Sequence, residues 1–216
     1  MSDETTGHIP RIGETAPDFQ AMTTHGEIRF SEWQGDSWVL LFSHPADFTP
    51  VCTTELTQLE RKASEFADRN CKLIGLSIDS IHSHLAWRQN IKEKLDVTLS
   101  YPLIADLSMD VASRYGMIHP GAANTATVRA VFFIDPKRTV RALVYYPLTN
   151  GRSVDELLRV LSALQTSDEH GVATPVDWQP GEKVVIPPPK TEQEVADRLA
   201  MEGIERTDFY LSKKSL

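Results

Sequence analysis

His44-Pro45-Ala46-Asp47-Phe48-Thr49-Pro50-Val51-Cys52-Thr53-Thr54-Glu55 is the stretch on which the reading of this chain turns. It follows the apolar run Trp38-Val39-Leu40-Leu41-Phe42 and precedes Leu56, Leu59, Ala63 and Phe66, which repeat every three or four residues. The first pattern predicts a strand covered on both faces, and the second a helix with one apolar side. Pro50 suits the first helical position, where its missing N–H would be unpaired anyway, and it pushes Thr49 into the extended form of a cap. Cys52 then falls in the first turn of a helix that starts where a buried strand ends, and active sites of α/β folds gather at such strand ends.

Outward from this junction the same alternation continues. Leu73 to Ile78, Val128 to Ile134 and Val140 to Tyr146 are short runs rich in branched and aromatic residues and read as strands. Asp135-Pro136-Lys137-Arg138 reads as the turn joining the last two. Trp87, Ile91 and Leu95 predict a second helix, and Val154, Leu157, Leu158, Leu161 and Leu164 a third, opened by the capping box Ser153-Val154-Asp155-Glu156. Strand, helix, strand, helix, hairpin, helix implies an α/β sheet with helices on both faces. After Gln165 the character changes. Gly171, Pro175, Pro180, Gly181 and Pro187-Pro188-Pro189 predict an extended arm that packs on a neighbouring copy, and Thr191-Glu192-Gln193-Glu194 is a further capping box. The expected organisation is a domain over 1–167 and a C-terminal arm over 168–216, with dimer contact through the arm.

The 216 residues carry a net charge of -8 and are 41% hydrophobic and 24% charged. That is a globular composition with enough chain for a core. The acidic balance argues against nucleic acid and anionic membranes as partners. Met1 to Gly7 has no basic region followed by an apolar run, so no secretory signal is read there, and the apolar runs are too short to span a bilayer. A cytoplasmic location is expected.

The 2 cysteines, Cys52 and Cys71, form no CxxC pair and support neither a zinc site nor a disulfide framework. A helix N-terminus favours the thiolate, which is the nucleophile. Placement alone leaves Cys52 open between a reactive thiol and a small buried core residue. Cys71 stands 71 − 52 = 19 positions after Cys52, across a stretch mostly read as helix. That is roughly 28 Å at helical rise, against the ~7 Å between Cα atoms that a disulfide tolerates. Cys71 therefore reads as structural.

Pro45, Thr49 and Cys52 fit the signature P-x-x-x-T-x-x-C, and the chain resembles the peroxiredoxins, in particular their one-cysteine class (the alkyl hydroperoxide reductase/thiol-specific antioxidant family). The resemblance runs from Gly13-Glu14-Thr15-Ala16-Pro17-Asp18-Phe19 through Gly75-Leu76-Ser77-Ile78-Asp79-Ser80 and Val128-Arg129-Ala130-Val131-Phe132-Phe133-Ile134-Asp135 into the C-terminal extension. It implies a thioredoxin-like fold and reduction of hydrogen peroxide or small organic hydroperoxides without metal, haem or flavin. It further implies attack by Cys52, a sulfenic acid intermediate, and recovery by an external thiol. Thr49 would bond the peroxide, Pro45 would shield the pocket, and Arg129 would stabilise thiolate and leaving oxygen. Glu55 would orient Arg129, with Arg152 a second cation and His44 a partner for oxidised sulfur or simply a packed residue. A homodimer, or a ring of dimers, is expected. A peroxide sensor and a holdase-type chaperone are the alternative functions.

Mammalian members of this class are credited with a phospholipase site. Here Gly35-Asp36-Ser37-Trp38-Val39 lacks its second glycine, and Ser31 stands where its histidine would align, so no lipase activity is expected. His82 and His84 read as solvated residues on different helix faces, with no carboxylate joining them.

Overall fold

The computed structural model describes residues 8–122 and 125–216. Met1 to Gly7, read above for a leader, lies outside the described residues. In chain order the first unit, which ends at Val154, contains β1 (Gln20–Thr23), β2 (Gly26–Arg29), α1 (Phe30–Gln34), β3 (Trp38–Ser43), α2 (Pro50–Arg61) and α3 (Ala63–Ala67). It continues with β4 (Cys71–Ser77), α4 (Ile81–Leu95), β5 (Leu103–Ala105), α5 (Asp110–Arg114), β6 (Arg129–Ile134) and β7 (Val140–Tyr146).

Among the described residues the strands form one seven-stranded sheet of order β2-β1-β5-β4-β3-β6-β7. β3, β4 and β5 run parallel, and the flanking pairs are antiparallel. The four strands read from the sequence are β3, β4, β6 and β7, which lie side by side in the sheet with β7 at its edge. β3 and β6 are buried at every residue, as their unbroken apolar runs require. β4 passes so close to its neighbours at Gly75 that a Cβ there would meet Leu103 at 2.6 Å and the Phe42 ring at 3.0 Å. Any larger residue there would force the Leu103 or Phe42 side chain to move. The β6–β7 turn forms as expected: the Asp135 carboxylate accepts the backbone N–H groups of Lys137 and Thr139 at 2.9 and 2.8 Å.

One helical expectation needs correction, and the second helix forms as read but leaves its last residue exposed. The stripe from Leu56 to Phe66 is not one helix. It breaks at Lys62 (φ -104°, ψ 4°), whose N–H is shared between the carbonyls of Gln58 and Leu59, a tightening of the last turn of α2 before α3 begins. Leu95 is 46% exposed, because α4 ends there and Asp96 takes a left-handed conformation beyond it.

The second unit, Asp155–Leu216, takes up most of α6 (Val154–His170). It adds β8 (Val184–Val185), α7 (Glu192–Ala200), β9 (Glu205–Asp208) and β10 (Leu211–Lys214), with the three strands in the order β8-β10-β9. Thr191 caps α7 by accepting the N–H of Glu194, as the capping box predicts. The segment read as an extended arm does bury residues of its own: Val172, Trp178 and Val184 form a small cluster with Ala163 packed on it. The Trp178 indole N–H donates to the Glu182 carbonyl, closing the proline-rich turn around it. Among the described residues no helix is long and apolar enough to cross a membrane.

Candidate active site

The segment 44–49 leaves the buried end of β3 and turns into α2. Thr49 is the N-cap residue in extended conformation (φ -107°, ψ 147°), with Pro50 in the first turn. The Thr49 hydroxyl does not cap the helix: it donates to the carbonyl of Ala46 at 2.9 Å. The bond from Thr53 N–H to Thr49 O closes the first turn, so the N–H groups of Val51 and Cys52 have no acceptor within the helix. Cys52 is fully buried, while Thr49 and Pro45 are half-buried. Phe48 adopts a left-handed φ of 55°, unfavourable for an aromatic residue, and is 57% exposed with its ring 6.1 Å from that of Trp87.

Arg129, the first residue of β6, reaches the same point. Its Nη1 lies 3.3 Å from Cys52 Sγ and donates to Glu55 Oε2 at 2.6 Å, while Nε and Nη2 hold the Leu148 carbonyl at 3.0 and 2.7 Å. Glu55 is also bound by Arg152. Oε1 accepts its backbone N–H at 2.8 Å and its Nε at 2.7 Å, and Oε2 accepts Nη2 at 2.8 Å. The remaining Arg152 nitrogen donates to the Ala130 carbonyl at 2.7 Å. Burial disfavours the Glu55 carboxylate, but the hydrogen bonds and charge of Arg152, with Arg129 behind it, outweigh that and hold its carboxyl below the usual range. Two buried guanidiniums thus face one carboxylate, and an anionic sulfur beside Arg129 would balance the charge. Arg152 is as deeply built into this network as Arg129, a role its separation of 97 residues from Glu55 hides in the sequence.

His44 is brought to the same segment. It is fully buried, with its N–H on the Leu76 carbonyl and its own carbonyl accepting from Thr127 Oγ1 at 2.7 Å. Its Nε2 bonds Asp47 Oδ1 at 2.9 Å, and its Nδ1 is buried without a partner. Burial pulls the His44 ring towards neutrality, against the opposing pull of Asp47. Asp47 was missed as a network residue, although it stands three residues after His44. The reading of His84 as solvated is corrected: it is fully buried and bonded to Asp47, whereas His82 is exposed. His44, Asp47 and His84 bring one polar atom each within 4.8 Å of one another, and the two contacts to Asp47 have ordinary hydrogen-bond lengths.

Cys71 lies elsewhere. It opens β4 paired with Trp38, the first residue of β3, while Cys52 follows the last. Five strand steps of ~3.3 Å put about 16 Å between those ends. Both thiols are free, and burial pushes the Cys71 thiol up to about 12. The two serines weighed for a lipase site have other partners: Ser37 donates to Asn70 and Ser31 to Asp18, each at 2.9 Å.

The AhpC/TSA family matches residues 12–143 of this chain, and the C-terminal domain of 1-Cys peroxiredoxin matches 163–200. A peroxiredoxin of Aquifex aeolicus is 50% identical over 218 residues, covering 96% of this chain and 98% of that protein. A 1-Cys peroxiredoxin of Dictyostelium discoideum is 44% identical over 205 residues, covering 95% and 85%. Among solved structures, a yeast mitochondrial 1-Cys peroxiredoxin, studied for thiol resolution via glutathione/thioredoxin systems, superposes with a TM-score of 0.87 at 43% identity, covering 96% of this chain and 100% of that one. A peroxiredoxin 6 of Arenicola marina gives 0.86 at 37%, covering 95% and 97%.

Proposed function

The chain belongs to the AhpC/TSA family and is a one-cysteine peroxiredoxin, a thiol-dependent peroxidase of thioredoxin-like fold, and from that premise we propose that Cys52 is the sulfur that attacks the peroxide. The observation that carries this reading is the 3.3 Å contact between Cys52 Sγ and Arg129 in the first turn of α2.

The chemistry follows from the donors and acceptors around that sulfur. Thiolate Sγ attacks the terminal oxygen of ROOH, the O–O bond breaks, and the leaving alkoxide takes a proton to become ROH. Sulfur keeps the transferred oxygen as a sulfenic acid. Thr49, its own proton directed to Ala46, offers lone pairs to the peroxide O–H. The free N–H groups at the start of α2 and the Arg129 guanidinium meet the charge that grows on the departing oxygen. Pro45 screens the approach, Glu55 and Arg152 fix Arg129, and His44 stands by for the oxidised sulfur. Arg129→Met should slow the second-order reaction with hydrogen peroxide roughly a hundredfold or more, as loss of one preset donor does elsewhere. Stopped-flow measurement of a folded variant at the parent rate would remove Arg129 from the site.

Two external thiols regenerate Cys52, leaving a disulfide between them and releasing water. A small thiol or a thioredoxin-type dithiol is the reductant class we propose, on the likeness to the yeast protein. Without a neighbouring thiol, the sulfenic acid waits for that reductant, and further peroxide carries it to sulfinic and sulfonic acid. Intact mass and peptide mapping under excess peroxide should therefore find two and then three oxygens on Cys52, with Cys71 reduced and activity lost in step. Oxidation centred on Cys71 with activity preserved would reverse the assignment.

We also propose a peroxidase domain over 1–167, an arm over 168–216 in contact with a second copy, and a cytoplasmic setting. Val176, Leu199, Met201 and Tyr210 are 88%, 49%, 43% and 57% exposed, apolar side chains that contact with a second copy would remove from water.

A further inference from the structure

A buried histidine of α4 grips the catalytic segment from outside. His84, in the first turns of α4, is fully buried, and each of its ring nitrogens faces an oxygen that accepts. Nδ1 lies 2.8 Å from Asp47 Oδ2, and Nε2 lies 3.1 Å from the carbonyl oxygen of Ile104 in β5. A neutral imidazole has one N–H and a lone pair on its other nitrogen. In that form one contact would set lone pair against lone pair at hydrogen-bond distance. An imidazolium fills both. Asp47 is the matching anion: its carboxylate accepts from His84, from His44 Nε2 at 2.9 Å and from Ser83 Oγ at 2.8 Å. Burial opposes its ionisation, but the two histidines outweigh burial and hold its carboxyl well below the ordinary range.

We propose that His84 is a positioning residue for the peroxide reaction, a buried imidazolium whose ion pair with Asp47 fixes the His44 ring and the path of 44–49 into α2. The proposal rests on the reading of Cys52 as the attacking sulfur. Asp47 stands three residues after His44 and two before Thr49, so pinning it pins both. Its backbone N–H is held by Asp79 Oδ2 at 3.0 Å, which fixes the same residue a second time. Because Asp47 engages His44 Nε2–H, the His44 lone pair sits on Nδ1, the buried atom without a partner. The titratable groups bonded into this network are His84, Asp47 and His44, with Asp79 on the Asp47 backbone N–H, while β5 contributes the Ile104 carbonyl.

The test uses the full-length chain. Nitrogen-15 NMR of the histidine rings at pH 7 should show both nitrogens of His84 protonated and one bare nitrogen on His44. His84→Gln keeps one donor for Asp47 and removes the charge and the second donor. It should slow the reaction of Cys52 with hydrogen peroxide roughly tenfold or more, through misplacement of the segment. A bare nitrogen on His84 overturns the proposal, and so does a folded His84→Gln enzyme at the parent rate. If that variant does not fold, the ring spectrum of the parent decides. Failure of the Cys52 reading shows differently, as turnover that survives Cys52→Ser with the His84 ring signals unmoved.

Discussion

Cys52→Ser is expected to abolish peroxide turnover, and Cys71→Ser to leave it close to the parent rate. Burial does not separate the two sulfurs, since Cys52 is fully buried and Cys71 is 5% exposed. Their surroundings do. Cys52 has a guanidinium 3.3 Å away and unfilled helix N–H groups beside it, both of which stabilise charge on sulfur. Cys71 lies 3.8 Å from the Lys72 carbonyl, and burial raises its thiol to about 12. At neutral pH Cys71 therefore holds its proton and is a poor nucleophile. A serine hydroxyl at position 52 is no substitute, because it holds its proton far more tightly than a thiol. The loss should reach the background of the assay, measured as peroxide consumption with a supplied thiol. Turnover surviving in Cys52→Ser, or lost in Cys71→Ser with the fold intact, would exchange the roles. A main product with Cys52 joined to Cys71 would contradict the distance between the two ends of β3 and β4.

The residues that the sequence made legible are those whose reasons are local. Thr49, Pro50 and Cys52 announce a helix start within four positions, and β3 and β6 announce themselves as unbroken apolar runs. What escaped depends on distant partners or very short elements. β1, β2 and β5 have three or four residues each, too few for alternation to register, and β2 has no fully buried residue. β8 lies in the stretch where proline and glycine dominate the reading, and the exposed, charged β9 carries no apolar pattern. His84 illustrates the second cause. Helical spacing separates it correctly from His82, but only the fold brings Asp47, 37 residues earlier, against its ring. Glu55 and Arg152 both stand among the candidates that the resemblance implies, but their direct pairing across 97 residues appears only when α2 meets the segment after β7.

Glu55→Gln should cost more stability than any surface substitution and slow the enzyme as well. Four N–H donors converge on the Glu55 carboxylate, three from Arg152 and one from Arg129. An amide has one oxygen to offer them and turns its NH2 group towards the rest. Two buried guanidiniums then lack their anion, a situation that typically costs about 3–5 kcal/mol. For a chain of this size that corresponds to a fall in Tm of about 10 °C. Arg129 loses its tether, so the peroxide reaction should slow even in the fraction that stays folded. The pH dependence separates this cause from a packing defect. The Glu55 carboxyl sits below its ordinary value of 4.5 in the folded chain. Its contribution is therefore complete above that value and is lost as pH falls through the folded one. Parent stability should decline on acidification below about 4.5, and the Glu55→Gln curve should lose that part of the decline while keeping the part due to Asp47, whose carboxyl is also held low. Thermal unfolding followed from neutral to acid pH measures both. An unchanged Tm at pH 7 with an unchanged acid limb would mean that Arg129 and Arg152 find their counter-charge elsewhere.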